Sequence, residues 1–195
     1  MSLLGIDVGT TGCKACAFTP DGKRIATAYR EYDIVRPRSG YAELDTRRVL
    51  QDVQDVIREV AAACRHDPVS ALAVSSLGEA VVPVSASREI LANSILNFDE
   101  RGGEYVRPFI GRVSVDQLYQ INGNTPGNHY TLTKLLWIRD HQSDVFHQTY
   151  RFLHWGAFVG YMLGAEPAVD FSLANRTLLF DLDRETWSDL LVEAA

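Results

Sequence analysis

The sequence lacks the features that mark disulfide-rich, membrane-spanning or nucleic-acid-binding proteins. It holds only three cysteines in 195 residues, and this small, odd number does not indicate a disulfide framework. No apolar run approaches the length of a transmembrane helix, and the first residues lack the basic and apolar segments of a secretory signal. The formal net charge of −6 provides no basic surface for nucleic acid or anionic lipid. We therefore expect a cytoplasmic protein that binds neither nucleic acid nor membrane.

Two of the cysteines form a Cys-x-x-Cys motif, which in other settings is a redox or metal site. Cys13 and Cys16 lie in a predicted strand, where residues three apart point to opposite faces, so the two thiols cannot readily meet. A redox pair usually begins a helix, and no helical pattern starts here. We therefore predict neither function for this motif, and we expect Cys64, at the end of a helix, to be a small core residue.

The most informative segment is residues 5–14, GIDVGTTGCK. Apolar residues on either side of Asp7 predict an opening strand that ends near this carboxylate. A second strand, 13–18, leads through an Asp-Gly hairpin signal into a third strand, 24–32. The turn between the first two strands consists of Gly9, Thr10, Thr11 and Gly12.

This turn has the chemistry of a phosphate-binding loop. Glycines let backbone N–H groups approach an oxyanion closely, and threonine hydroxyls add further donors. Lys14 supplies positive charge, and the Asp7 carboxylate is suited to hold a hydrated Mg²⁺ that bridges phosphates. The segment resembles the first phosphate loop of the sugar kinase, Hsp70 and actin superfamily, in which a hairpin turn holds the nucleotide. An ordinary glycine-rich hairpin is the alternative interpretation.

Beyond this loop the sequence predicts alternating strands and helices without a linker. Asp45 is expected to cap a helix, because valine and isoleucine recur at helical spacing from Val49 to Val60. Further strands are predicted at 71–75, 81–84 and 90–96. Three strands, a helix and a strand is the order of the ribonuclease-H-like fold, which the superfamily uses twice per molecule. We find one copy, and predict an α/β fold of this type, a mixed sheet with flanking helices.

Three later segments carry a resemblance to one family. The segment from Lys134 to His141, KLLWIRDH, resembles the signature of the FGGY carbohydrate kinases, which include xylulokinase, gluconokinase and glycerol kinase. Residues 94–101 and 187–191 are similar to two further family segments. With the phosphate loop, these matches extend the resemblance over the whole chain. They are specific for the family but not for its substrate.

The substrate segments depart from the family pattern. Where xylulokinases and gluconokinases carry Gln-Met-His after the fourth strand, this chain has SSLGEA at 75–80. Gly78 therefore stands where a side chain often touches the sugar, and Glu79 is placed to accept hydrogen bonds from two vicinal hydroxyls. A solvated strand-end acid is the alternative for Glu79. Asn97 replaces the usual tryptophan, which removes a stacking platform and argues against a ketopentose, so we expect a bulkier or differently branched sugar or polyol.

Two further substrate candidates follow from the resemblance. Asp99 and Arg101 match the family pattern and predict a positioning ion pair, with Asp99 at the sugar beside Glu79. His129 lies in the loop before the signature helix, which borders the sugar pocket in this family. A solvated loop histidine is equally compatible with the sequence.

The resemblance implies a carbohydrate kinase that uses ATP and Mg²⁺, with residues 1–195 as its N-terminal, sugar-binding domain. In the family the general base and the adenine site belong to a second domain, so we expect this chain alone to be inactive. The sequence is also compatible with a homodimer. Two other interpretations remain: a truncated member that binds sugar or a partner without turnover, and a chaperone or actin-like ATPase that shares only the phosphate loop.

Overall fold

The fold is described by a computed structural model of residues 1–195. The strands are β1 (Ser2–Val8), β2 (Gly12–Phe18), β3 (Arg24–Glu31), β4 (Glu43–Leu44), β5 (Val69–Ser76), β6 (Val81–Val84), β7 (Ser94–Ile95), β8 (Arg151–His154), β9 (Phe180–Asp181) and β10 (Thr186–Trp187). The α-helices are α1 (Thr46–Ala63), α2 (Val106–Arg112), α3 (Val115–Asn122), α4 (Thr131–His141), α5 (Ser143–Gln148), α6 (Trp155–Met162), α7 (Phe171–Asn175) and α8 (Asp189–Ala194). A 3₁₀ turn, Gly103–Tyr105, precedes α2.

The main sheet has the strand order β3-β2-β1-β5. The first three strands pair antiparallel as two successive hairpins, whereas β5 pairs parallel with β1 after the crossover through α1. This is the predicted mixed sheet, and it confirms the predicted order of strands and helix. The parallel register pairs Asp7 with Ser75, so the carboxyl ends of β1 and β5 lie side by side.

One face of the sheet is packed and contains the main core. The strand β1 alternates buried and exposed residues, and α1 lays its valines, which are nearly inaccessible, against β2 and β3. Burial of each such side chain contributes about 1.5–3 kcal/mol. The Asp45 side chain caps α1 as predicted, accepting a hydrogen bond from the Arg48 N–H at 3.1 Å.

The cysteines follow the same alternation. Cys13 is fully buried in the packed face, where desolvation raises the pKa of its thiol to about 11, and Cys16 lies on the opposite face. Cys64 ends α1 as a core residue with only 2% of its surface exposed, as predicted.

The other face of the main sheet is open. Leu3 and Tyr29 lie on this face by their pairing register, and they are 45% and 50% exposed. The strand β5 forms one edge of the sheet, with a partner on one side only. Asp7 and Lys14 belong to this open face.

Helices from the second half of the chain build a smaller core of their own. Its most deeply buried members are Leu118, Leu191 and Val113. No helix in either part combines the length and the apolar character that are needed to cross a bilayer.

One predicted strand, 90–96, is mostly wrong. Only β7 is extended, although Ile90 makes an isolated bridge to Val84. The chain leaves β6 after this bridge and turns to pair with β4, and Asn93 fixes the turn by donating to Glu43 Oε2 at 3.1 Å. A change of partner strand therefore breaks a segment whose apolar residues alone predict one strand.

A buried histidine joins the two parts of the chain. His154 precedes α6 and is 3% exposed, and its Nε2 lies 3.2 Å from the Thr131 hydroxyl at the start of α4. Burial lowers the pKa of His154 to about 4, because charging the imidazole in this apolar setting is unfavourable.

We expect His154→Gln to reduce the loss of stability on acidification. The unfolded imidazole takes up a proton near pH 6.5, whereas the folded one stays neutral down to about pH 4, so stability falls as pH drops through this window. This shift corresponds to a loss of about 3 kcal/mol in the unfolding free energy of the wild type between about pH 7 and 4. Urea unfolding at a series of pH values measures the loss in both proteins. The exposed His66→Gln serves as control. Equal pH dependence in wild type and His154→Gln would show that His154 is not held neutral.

Candidate functional site

Tyr32 holds the turn between β1 and β2 through two hydrogen bonds. The Gly9 N–H donates to the Gly12 carbonyl at 2.9 Å, which closes the turn. The Tyr32 hydroxyl donates to the Gly9 carbonyl at 2.7 Å, and the Tyr32 N–H donates to the Thr11 carbonyl at 3.1 Å. A Cβ at Gly12 would lie 2.8 Å from the Arg30 carbonyl oxygen, so the second glycine is required by this close approach. The turn is therefore a fixed loop, with Thr10 and Thr11 at its tip.

Asp7 and Lys14 face each other across the first hairpin. They are direct cross-strand partners, both exposed, and neither charged group takes part in a hydrogen bond or ion pair within the chain. Together they line a pocket of about 560 Å³ on the open face of the sheet. A free carboxylate opposite a free ammonium is available to a charged ligand.

The oxygen donors near Asp7 fit one particular mode of Mg²⁺ binding. No group of three or more acidic, histidine or cysteine side chains converges anywhere in the chain to form a cage for a metal. Mg²⁺ commonly keeps several waters and is bound through one or two carboxylates together with substrate phosphates. One exposed carboxylate beside a glycine-threonine loop matches that mode.

The parallel pairing brings the predicted substrate segment to the same edge. The Leu77 N–H donates to the Val8 carbonyl at 2.8 Å, so the chain after β5 passes directly beside the end of β1. Gly78 and Glu79 follow at once. A Cβ at Gly78 would meet only the Arg176 side chain, at 4.0 Å, so the space beside this glycine is open.

Glu79 is held by an arginine that the sequence analysis missed. Its Oε1 accepts from Arg176 Nε at 2.7 Å and from a second guanidinium nitrogen at 2.5 Å. Its Oε2 is approached only by Asn97 Nδ2, at 3.4 Å. The alternative of a solvated acid does not hold, because the Glu79 side chain is 12% exposed and paired with Arg176. Its role as an acceptor for vicinal hydroxyls stays a prediction, and Oε2 is the oxygen that keeps acceptor capacity for them.

Asn97 and Phe98 form the exposed rim beside Glu79. Phe98 is 47% exposed, and the Arg36 guanidinium lies 5.8 Å from its ring centroid. The polar Asn97 side chain points to Glu79, so this position contributes a hydrogen-bonding group where an indole would contribute a flat apolar surface.

Asp99, which we expected at the sugar, lies in the interior instead. Its side chain is 0% exposed and forms the predicted ion pair with Arg101, at 2.6 Å. The Ala42 N–H donates to its Oδ2 and the Arg101 N–H to its Oδ1, at 2.5 and 2.9 Å. Burial alone would raise the pKa of Asp99, but these hydrogen bonds outweigh it and lower the pKa below the usual value. Asp99 therefore supports the loop that carries Asn97.

The signature helix α4 holds the substrate loops through its lysine and tryptophan. Lys134 is 2% exposed and donates to the carbonyls of Asp99, Arg101 and Asn128 at 2.8, 2.7 and 2.8 Å. Burial lowers the pKa of Lys134 to about 8, and only the protonated amine can donate to all three carbonyls at once. The Trp137 ring lies 4.9 Å from the Arg101 guanidinium. The motif therefore fixes two loops that lie apart in the sequence.

His129 is exposed and lies against Tyr130. The two rings have centroids 4.0 Å apart, and the Arg176 guanidinium lies 4.6 Å from the Tyr130 ring centroid. His129 therefore neighbours the Glu79 cluster through one intervening ring, without a hydrogen bond to Glu79.

The residues that sequence analysis missed act over long sequence separations. Arg176 and Glu79 are 97 positions apart, and Thr131, whose hydroxyl donates to the Glu79 carbonyl at 2.5 Å, is 52 positions away. Local patterns carry no signal for such pairs. Tyr32 could have been suspected as an aromatic residue at the end of the third strand, next to the loop.

The hairpin loop and the order of three strands, a helix and a parallel strand agree with the expected resemblance to the sugar kinase, Hsp70 and actin superfamily. The family model described as the FGGY family of carbohydrate kinases, N-terminal domain, matches residues 2–195. The chain therefore belongs to the FGGY family of carbohydrate kinases, and the resemblance seen in the sequence is confirmed.

Individual relatives agree with this assignment. A xylulose kinase of Klebsiella pneumoniae is 28% identical over 193 residues, which are 98% of this chain and 39% of that protein. A glycerol kinase of Beutenbergia cavernae is 26% identical over 199 residues, covering 95% of this chain and 39% of that protein. The structure of a xylulose kinase from Rhodospirillum rubrum superposes with a TM-score of 0.92 at 24% identity, covering 100% of this chain and 41% of that one. The chain thus spans about two fifths of the length of these relatives.

We expect Lys134→Met to lower the free energy of unfolding by about 2–3 kcal/mol. The substitution keeps the apolar stem but leaves the carbonyls of Asp99, Arg101 and Asn128 without their charged donor. Denaturant unfolding at neutral pH measures the loss, and Lys23→Met, at an exposed hairpin position, is the matched control. If the two variants were equally stable, the three carbonyls would not depend on this lysine.

Proposed function

We propose that the chain is the N-terminal, sugar-binding domain of a kinase that transfers the γ-phosphoryl group of ATP to a hydroxyl of a neutral sugar or polyol. The observation that carries this proposal is the juxtaposition of two chemistries at one edge of the sheet. A glycine-threonine loop ends β1, and a carboxylate with one free oxygen follows β5, directly beside it. Phosphate donor and hydroxyl acceptor can therefore meet across this edge. Membership of the family supports the same reaction.

The loop residues would position the phosphoryl group. Phosphoryl transfer asks the protein mainly for alignment and charge stabilisation. Gly9 would let the loop backbone approach the phosphate closely, the N–H groups and hydroxyls of Thr10 and Thr11 would donate to the phosphate oxygens, and Lys14 would offset their charge. Asp7 would hold Mg²⁺ through its waters, and the bound ion would neutralise the developing charge.

The remaining parts of the reaction are proposed to lie in a second domain. Neither a general base aimed at the Glu79 cluster nor an adenine pocket is among the groups described above. The apolar side chains on the open face of the sheet, Leu3 and Tyr29, offer a surface on which further chain could pack. The 195 residues alone would then fold without turnover. We propose a cytoplasmic location for this enzyme, as for a soluble metabolic kinase.

Glu79 and Asn97 would set the choice of substrate. Glu79 Oε2 would accept a hydrogen bond from a substrate hydroxyl, and His129 would border the far side through Tyr130. The open space at Gly78 and the polar Asn97 leave more room than a pocket closed by a large side chain and an indole. We propose a sugar or polyol that is bulkier or differently branched than D-xylulose.

We expect Asp7→Asn to reduce the rate of the full-length kinase by about a hundredfold or more while leaving its fold intact. The variant keeps the shape of the side chain but removes the anionic anchor for Mg²⁺. A coupled assay of ADP formation measures the rate, and circular dichroism checks the fold. Asp21→Asn, in the exposed hairpin turn after β2, is the control. Near-normal turnover by Asp7→Asn would mean that the loop is only a hairpin.

We expect Glu79→Ala to weaken sugar binding by about 1.5–3 kcal/mol with almost unchanged affinity for ATP. The substrate hydroxyl loses a charged acceptor, and Arg176 loses its partner. Calorimetry with a panel that includes D-xylulose, glycerol and D-gluconate measures both effects, with the exposed Glu89→Ala as control. Normal sugar binding by Glu79→Ala would remove Glu79 from the pocket, and D-xylulose as the best ligand would contradict the expected substrate size.

A further inference from the structure

The ion pair between Arg176 and Glu79 is asymmetric. Both guanidinium contacts go to the same oxygen, Oε1, from Nε at 2.7 Å and from a terminal nitrogen at 2.5 Å. The two contacts use the lone pairs of Oε1, so a ligand cannot also bond there. The pair leaves Oε2 as the acceptor that a ligand would meet.

Glu79 also has an unusual backbone that needs support. Its φ of 35° lies in the left-handed region, which residues other than glycine adopt only with strain. The Thr131 hydroxyl donates to its carbonyl, and Arg176 holds its side chain, which is 12% exposed. These two contacts fix the peptide and the carboxylate together.

Arg176 is itself fixed on its other sides. Its guanidinium lies 4.6 Å from the Tyr130 ring centroid, and its Nη1 donates to Asn124 Oδ1 at 3.3 Å. The Tyr130 hydroxyl donates to the same Asn124 oxygen at 3.2 Å. Arg176 is the C-cap residue that follows α7, so this cluster connects the helical part of the chain to the segment after β5.

We propose that Arg176 is a positioning residue for substrate binding, which acts by holding Glu79 so that Oε2 alone faces the substrate. This inference rests on the proposed function. Without Arg176 the Glu79 side chain is free to change rotamer, and either oxygen can turn away from the substrate. The guanidinium does not touch the substrate in this arrangement. Its effect on sugar binding therefore passes entirely through Glu79.

The first experiment needs no sugar and uses the 195-residue chain. Nitrogen-15 NMR measures solvent exchange of the arginine Nε–H protons. We expect exchange at Arg176 to be at least about tenfold slower than at Arg184, whose contact with Asp181 is 3.8 Å and exposed. Glu79→Gln should abolish this difference. Equally fast exchange at the two arginines in the wild-type chain would overturn the proposal.

The second experiment measures the coupling between the two residues in the full-length kinase. Arg176→Gln should raise the KM for the sugar about tenfold without changing the KM for ATP, and Arg176→Lys should restore part of the loss. In a Glu79→Gln background, Arg176→Gln should add less than about a twofold effect, because its route is already removed. Arg184→Gln is the charge-matched control. If Arg176→Gln raised the KM for the sugar by the same factor in the Glu79→Gln background as in the wild-type enzyme, the proposal would be overturned.

The two experiments separate the inference from the function on which it rests. If the wild-type enzyme phosphorylates no member of a panel of neutral sugars and polyols, the proposed function fails, and the exchange measurement still decides whether Arg176 holds Glu79. If Arg176→Gln does not fold, Glu79→Gln serves instead, because it retains Arg176. Its Nε–H exchange rate and its KM for the sugar are then compared with those of the wild type.

Discussion

The parallel pairing of β1 with β5 is the constraint on which the candidate site depends. Each strand ends in a functional segment, and neither segment would meet the other if β5 ran antiparallel. The register places Asp7 beside Ser75, so the chains leave the sheet together and the Leu77 N–H can reach the Val8 carbonyl. A parallel pair needs a crossover, which α1 supplies while it covers the packed face of the sheet. One helix therefore both builds the core and aligns the two halves of the site.

The helical part of the chain is joined to this edge mainly by charged groups that are buried. Arg101 lies between two carboxylates, Asp99 and Glu43, and the Lys134 amine occupies a site made of carbonyl oxygens. Such groups contribute little net stability, because desolvation opposes their attraction. They do define geometry, since a buried charge tolerates few alternative partners. This explains how a motif without any exposed catalytic group can fix the loops that carry Asn97 and His129.

The sequence predicted well what short-range patterns determine. The Asp7 loop, the cap at Asp45 and the buried stripe of α1 all depend on residues within a few positions of one another. The Asp99–Arg101 pair was also predicted, but its burial was not, because burial depends on Ala42 and on Lys134, far away in the chain. Arg176, the partner of Glu79, could not be predicted either, because it lies 97 positions away in the chain.

This difference has a chemical counterpart. The groups suited to phosphate lie on one continuous hairpin, where few residues besides Tyr32 are needed to shape them. The groups suited to a sugar come from the end of β5, from the loop before the 3₁₀ turn and from α7, and each is oriented by contacts with the others. A substitution at any one of these positions alters the hydrogen-bonding pattern offered to a substrate without disturbing the hairpin. A fold built in this way can keep its hairpin loop while the groups around Glu79 diverge, and the Glu79–Arg176 pair is a place where such divergence would act.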